Sequence, residues 1–121
     1  MRVAITGVCA SGKTTLVQNL RQHHVEAYNV AQEHSFVKTL WQKKNPDVLI
    51  MLDATLPVIK KRRNVPWGEE RLIAQHERLI NAKEHAQLFI QTDALSIEEV
   101  TGRALAYIRR FEHDYSGRPT A

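Results

Sequence analysis

The residues best suited to chemistry form one short stretch near the start of the chain, Gly7-x-x-x-x-Gly12-Lys13-Thr14. Two glycines allow the backbone to turn tightly and to approach a ligand closely, because no Cβ intrudes. Successive backbone N–H groups then point into one concavity, which suits phosphate oxygens. Lys13 can reach the β- and γ-phosphates of a triphosphate, and the Thr14 hydroxyl is suited to Mg²⁺. The stretch therefore predicts a site for a nucleoside triphosphate.

The elements on either side of this stretch support that interpretation. The apolar run at 3–5 predicts a buried strand, and apolar residues at helical spacing predict a helix over 12–23. The N-terminus of this helix adds its positive dipole end to the concavity. Thr15 supplies a further hydroxyl, for the α-phosphate. We expect the nucleotide to contact Gly7, Cys9, Ala10, Ser11, Gly12, Lys13, Thr14 and Thr15.

Composition indicates the general class of the protein. The 121 residues are 43% apolar and 25% charged, which predicts one folded domain over 1–115 and a frayed tail over 116–121. No apolar run approaches the ~20 residues that span a bilayer. No signal-peptide pattern precedes the first strand, so we expect a cytoplasmic protein without a membrane partner.

Charge and cysteine usage leave two questions open. The net charge of +4 suits nucleic acid or simply an anionic nucleotide. Apart from 60–63, the basic residues are spread out and aromatic residues are few, so we do not expect nucleic acid as the main partner. Cys9, the single cysteine, is either a small side chain packed beneath the loop or a redox-sensitive thiol.

Strand and helix patterns alternate along the rest of the chain. Strands are predicted at 25–30, 47–53 and 87–92, and helices at 36–44, 55–63, 69–86 and from the Ser96-x-x-Glu99 capping box onward. The buried faces of three helices are expected to hold Phe36, Val37, Leu40 and Trp41; Leu72, Ile73, His76, Leu79 and Ile80; and Ile97, Val100, Ala104, Ile108 and Phe111.

This alternation predicts an α/β fold with helices on both faces of a parallel sheet of about four to five strands. Ligands bind such sheets at the carboxyl ends of the strands. The Gly7 loop, Glu33, Asp53 and Asp93 all follow predicted strands, so we expect them to converge on one edge.

The loop and the order of the elements resemble those of small nucleoside and nucleotide kinases of the P-loop NTPase superfamily. The sequence Gly-x-x-x-x-Gly-Lys-Thr-Thr-Leu carries the sharp part of this resemblance. The rest lies in a strand ending Leu-Asp, a short helix ending in arginines, a longer helix, and Leu-Phe-Ile-Gln-Thr-Asp-Ala-Leu-Ser. The resemblance implies a three-layer α/β/α fold that uses ATP and Mg²⁺.

The resemblance also implies roles for residues outside the loop. Arg62 and Arg63 match the lid arginines that clamp the transferring phosphate. The loop of Thr92, Asp93, Ala94 and Leu95 matches the segment over which the nucleotide base lies. Glu33 matches an acid that orients the acceptor hydroxyl or Mg²⁺, although His34 replaces the arginine of that element. Asp53 matches either an acid that holds Mg²⁺ through water or a structural residue.

These expectations lead to one main hypothesis and one rival. The main hypothesis is a kinase-like phosphotransferase that acts on a small nucleotide, nucleoside or similar metabolite, with Lys13, Glu33, Asp53, Arg62 and Arg63 as its catalytic residues and Thr14 and Asp53 at the metal. The rival is an ATP-binding regulatory or assembly module with slow or no hydrolysis. The sequence leaves open the acceptor and a homo-oligomeric state.

Overall fold

The computed structural model describes residues 1–116, and its elements follow the predicted alternation of strands and helices. Strands β1–β4 span Arg2–Gly7, Glu26–Asn29, Val48–Asp53 and Leu88–Gln91, and helices α1–α4 span Lys13–Gln22, Leu56–Arg62, Glu69–His85 and Ile97–Ser116. The predicted tail lies outside the described residues, except that Ser116 is the last residue of α4. Within residues 1–116, no helix combines the length and the apolar character needed to cross a membrane.

All four strands are parallel and lie in the order β2-β1-β3-β4, which confirms the predicted parallel sheet. Strand β2 therefore lies on one side of β1, and the later strands β3 and β4 lie on its other side. In open parallel sheets, ligands bind in the crevice beyond the carboxyl end of the strand at which the strand order reverses in this way. Gly7, the last residue of β1, stands at that point and is paired in register with Leu52 of β3.

Helices cover both faces of the sheet because side chains alternate along its strands. On one face, Val3 and Ile5 of β1 pack with buried residues of α1 and α4. On the other face, Met51 of β3 packs with buried residues of α3. The fold is therefore α/β with helices on both sides of the sheet, as predicted.

Helix α3 is rotated relative to the predicted orientation. Ile73 and Ile80, expected on its buried side, are 52% and 55% exposed. The buried stripe instead consists of Leu72, Gln75, Leu79 and Ala82. This orientation directs the Gln75 amide at the backbone N–H of Cys9, whose hydrogen bond is 2.9 Å long.

The predicted amphipathic helix over 36–44 is wrong. The segment contains only a 3₁₀ turn at Leu40–Gln42, and Phe36 is 85% exposed. The buried side chain of Gln32 explains the difference, since it accepts from Trp41 N at 3.1 Å and donates to Val37 O at 2.7 Å. Side-chain bonds to the backbone compete in this way with helical hydrogen bonds.

Helix α4 begins at the predicted capping box. The Ser96 hydroxyl accepts from the N–H of Glu99, and the Glu99 carboxylate accepts from the N–H of Ser96, both at 3.1 Å. Val100, Ala104 and Ile108 are buried as expected, whereas Ile97 is 55% exposed. The capping box therefore defines the start of α4 beside the end of β4.

Candidate functional site

Two cavities meet at the carboxyl end of β1, and both are lined by residues of the loop between β1 and α1. The first, here called the loop cavity, has a volume of about 340 Å³ and is lined by Cys9, Ala10, Gly12, Lys13, Thr14, Thr15, Asn29, Glu33, His34, Arg62 and Arg63. The second, the side cavity, has a volume of about 350 Å³ and is lined by Ser11, Gly12, Thr15, Leu16, Arg62, Thr92, Leu95, Ser96, Ile97, Val100 and Thr101.

The backbone of residues 7–14, here called the glycine loop, is tightly turned. Gly7 and Gly12 have φ of +149° and +104°, and Ala10 has φ of +59°. The N–H of Ser11 donates to the carbonyl of Val8 at 3.2 Å. The two glycines therefore stand where a positive φ requires them, in agreement with the sequence.

The glycine loop leads directly into the N-terminus of α1. No side chain caps this end of the helix, and Gly12 occupies the N-cap position. The first N–H groups of a helix have no carbonyl one turn earlier to accept from them. Lys13, Thr14 and Thr15 supply these groups at the edge of the loop cavity. Such a helix end favours an anion through its unpaired donors and its dipole.

The side chain of Lys13 lies beneath the glycine loop and is only 8% exposed. Its ammonium donates to the carbonyls of Gly7 at 2.7 Å and Val8 at 2.9 Å, and it forms an ion pair with the carboxylate of Glu33. Glu33 comes from the 3₁₀ turn Gln32–His34 that follows β2. The structure therefore brings together two of the predicted catalytic residues, the cationic Lys13 and the anionic Glu33.

Arg62 lines both cavities. Its guanidinium donates to the Ala10 carbonyl at 3.1 Å, to the Thr92 hydroxyl at 2.9 Å and to the Thr92 carbonyl at 2.7 Å. These bonds connect the end of α2 to the glycine loop and to the residue that follows β4. Arg62 is thus held at the boundary between the two cavities.

Arg63, like Arg62, is exposed, and its guanidinium contacts Cys9. Its guanidinium lies 3.4 Å from the thiol of Cys9, and both residues line the loop cavity. Cys9 is of intermediate burial and is therefore not packed fully beneath the loop. The loop cavity is accordingly lined by three cationic residues beside the helix N-terminus, Lys13, Arg62 and Arg63.

Two predicted acids lie at the same edge of the sheet but do not line either cavity. Asp53 lines another cavity, where its carboxylate lies 2.9 Å from Nε2 of His76. The Asp93 carboxylate accepts from the N–H of Thr55 at 2.9 Å. The geometry of Asp53 favours the structural role over the metal role.

The Asp93 carboxyl has a shifted pKa for identifiable reasons. Burial by itself would raise its pKa. Hydrogen bonds from the backbone and hydroxyl of Thr55 and from the side chain of Gln91, together with the positive charge of Arg62, outweigh that effect and hold the pKa below its ordinary value. Of the predicted loop over 92–95, Thr92 and Leu95 line the side cavity, whereas Asp93 and Ala94 do not.

Few of the described side chains at the loop cavity are suited to bind a metal ion. Among the described residues, no group of three or more His, Cys, Asp or Glu side chains is arranged to hold a metal. The Thr14 hydroxyl and the Glu33 carboxylate both line the loop cavity, and Oε1 of Glu33 is buried without a hydrogen-bond partner. This set fits Mg²⁺ that arrives with phosphate ligands, since Mg²⁺ sites often use few carboxylates and retain water.

Thr92, part of the predicted loop over 92–95, accepts from Arg62, and its hydroxyl also donates to the Ser11 carbonyl at 2.9 Å. The sequence did not single out Gln75 or Asn29, which the site also uses. Gln75 was detectable as a polar position one turn from both Leu72 and Leu79 on a buried stripe. Asn29 carried no comparable signal.

Comparison with known proteins does not assign a family. The sequence matches no protein-family model, and no curated protein matches it. What can be said about function depends on the motif and on the geometry described above.

Proposed function

We propose that this chain is a P-loop nucleotide-binding domain that acts as an ATP- and Mg²⁺-dependent phosphotransferase on a small nucleotide, nucleoside or similar metabolite. One observation carries the proposal. The glycine loop ends in the uncapped N-terminus of α1 and borders a cavity lined by Lys13, Arg62 and Arg63.

Binding of the triphosphate follows from the electrostatics of this arrangement. Unpaired N–H groups and the helix dipole favour phosphate oxygens at the N-terminus of α1. Lys13 lines the same cavity. The adjoining side cavity, with Leu16, Leu95 and Val100 in its wall, offers apolar surface for the nucleoside part. Its volume of about 350 Å³ lies within the range of small-molecule sites.

Transfer of the phosphoryl group requires positive charge and a group that orients the acceptor. Arg62 and Arg63 line the loop cavity, and guanidinium groups suit the oxygens of a transferring phosphate. Glu33, in the same cavity, is suited to accept a hydrogen bond from the acceptor hydroxyl. Mg²⁺, when bound with the nucleotide beside Thr14 and Glu33, would neutralise charge on the phosphates.

A second candidate is a nucleotide-binding regulatory or assembly module that does not transfer phosphate. It is favoured by the shortage of acids in the site. Among the described residues, Glu33 is the single acid that lines the loop cavity, and it is paired with Lys13. Asp53, the other expected catalytic acid, lines a different cavity with His76.

Turnover of ATP with Mg²⁺ separates the two candidates. We expect one compound in a panel of nucleosides, nucleotides and sugars to raise ADP release at least about tenfold and to yield a phosphorylated product. Lys13→Met should abolish this stimulation, whereas the matched variant Lys38→Met, at an exposed position, should retain it. Binding of ATP without stimulation by any compound would favour the regulatory module.

A further inference from the structure

We propose that Glu33 makes polyphosphate binding dependent on a divalent cation. Its carboxylate holds Lys13, so the glycine loop accepts a polyphosphate well only as a metal complex. The inference rests on the proposed nucleotide site and specifies which form of the ligand that site selects.

The first argument concerns the donors of Lys13. An ammonium group has three N–H donors. In the structure they are directed at the carbonyls of Gly7 and Val8 and at the carboxylate of Glu33. A phosphate oxygen must therefore displace one of these acceptors before it can bind the ammonium. Glu33 is the one acceptor of the three that carries a charge.

The second argument concerns repulsion. A phosphate close to Lys13 also comes close to the Glu33 carboxylate, which is 4% exposed. Like charges repel strongly where water is largely excluded. Metal-free polyphosphate therefore meets an ammonium whose charge is already compensated, next to a negative group. Both effects weaken its binding.

The third argument concerns the unpaired oxygen of the same carboxylate. Oε1 of Glu33 is buried and has no hydrogen-bond partner among the described residues. A buried acceptor without a partner is unfavourable. A divalent cation, or a water molecule bound to it, would satisfy this oxygen and convert the repulsion between carboxylate and phosphate into mutual attraction to the metal.

The backbone holds Glu33 in place for this role. Arg78 donates to the Glu33 carbonyl at 3.2 Å, and the N–H of His34 donates to the Ala31 carbonyl at 3.2 Å. The 3₁₀ turn that carries Glu33 is therefore connected to α3. The turn that carries the Glu33 carboxylate is thus held by contacts that do not involve a ligand.

The test measures binding of inorganic tripolyphosphate by calorimetry, with Mg²⁺ and with EDTA. The proteins are the wild type, Glu33→Gln and the matched control Glu84→Gln, whose side chain is exposed on α3. We expect removal of Mg²⁺ to weaken binding to the wild type and to Glu84→Gln at least about tenfold. Glu33→Gln should bind metal-free tripolyphosphate at least about tenfold more tightly than the wild type does.

Two results would overturn the inference. One is binding to the wild type that is equally tight with and without Mg²⁺, which needs no variant to be folded. The other is a Glu33→Gln variant whose Mg²⁺ dependence equals that of the wild type. Glu33→Met, which is neutral and of similar size, replaces Glu33→Gln if that variant does not fold.

Failure of the proposed function gives a different pattern. If no protein in the set binds tripolyphosphate under either condition, the glycine loop is not a phosphate site and both proposals fall. If tripolyphosphate binds without any dependence on Mg²⁺, only the role of Glu33 is overturned.

Discussion

Replacing Gly7 with alanine should destabilise the protein much more than the same replacement at Gly12 or Gly102. A Cβ built on Gly7 lies 2.1 Å from the carbonyl oxygen of Leu52, and φ at Gly7 is +149°. The obstructing atom belongs to the backbone of β3, so no side-chain rotation can relieve the overlap. The glycine is thus required for both its conformation and its close approach to the neighbouring strand.

The expected loss for Gly7→Ala combines two terms. Overpacking in a rigid interior costs about 1–3 kcal/mol, and a strained backbone conformation costs about 1–3 kcal/mol. We therefore expect the free energy of unfolding to fall by about 2–6 kcal/mol. Because domains of this kind have total stabilities of about 5–15 kcal/mol, this loss would remove a large fraction of the total.

The two control glycines distinguish the cost of backbone strain from the cost of overlap with β3. Gly12 has φ of +104° but no atom within 4 Å of an added Cβ, so Gly12→Ala should cost only about 1–2 kcal/mol. Gly102 lies within α4 with open space around it, so Gly102→Ala should stabilise the protein by about 0.5–1 kcal/mol. Urea unfolding followed by circular dichroism measures all three. A loss for Gly7→Ala no larger than that for Gly12→Ala would refute the reasoning.

Three further predictions concern the surroundings of the site. Ser96→Ala removes the acceptor for the N–H of Glu99 and should lower the free energy of unfolding by about 1 kcal/mol, measured in urea; an unchanged midpoint would contradict the capping role. Gln75→Leu leaves the N–H of Cys9 without its partner and should cost about 1–3 kcal/mol by the same assay, whereas a neutral effect would show that water replaces the amide. Because the pKa of Asp93 is lowered from 3.8, its carboxylate stabilises the fold above that pH and loses the effect as the pH falls through the lowered value. Asp93→Asn should therefore be less stable than the wild type at neutral pH. The difference in unfolding free energy between the two proteins should shrink below pH 3.8, and a difference that stays constant would contradict the role of Asp93.

The parts of the fold that local sequence decides were predictable. The apolar run at 48–53 became the central strand β3, and the capping residues Ser96 and Glu99 mark the start of α4. The glycine spacing predicted the tight turns that the positive φ angles at Gly7 and Gly12 now display. In each case the signal lies within a few residues along the chain, although Gly7 also contacts Leu52 of β3.

The parts that depend on distant side chains were not predictable. Gln75 bonds to Cys9 across 66 residues of sequence and rotates α3 away from the orientation that its apolar residues alone indicate. Gln32 takes the backbone groups of Val37 and Trp41 that a helix would have used. Glu33 was predicted as a functional acid, but its pairing with Lys13 follows from the order of β2 and β1 in the sheet.

The central claim is that a nucleoside triphosphate binds at the glycine loop, and calorimetric titration with ATP and Mg²⁺ tests it most directly. The wild type and Lys38→Met should each bind one equivalent, and Lys13→Met should bind at least about tenfold more weakly, since a charged hydrogen bond to phosphate is lost. Circular dichroism should first show that Lys13→Met is folded. Absence of binding to the wild type, or equal affinity in a folded Lys13→Met, would contradict the claim.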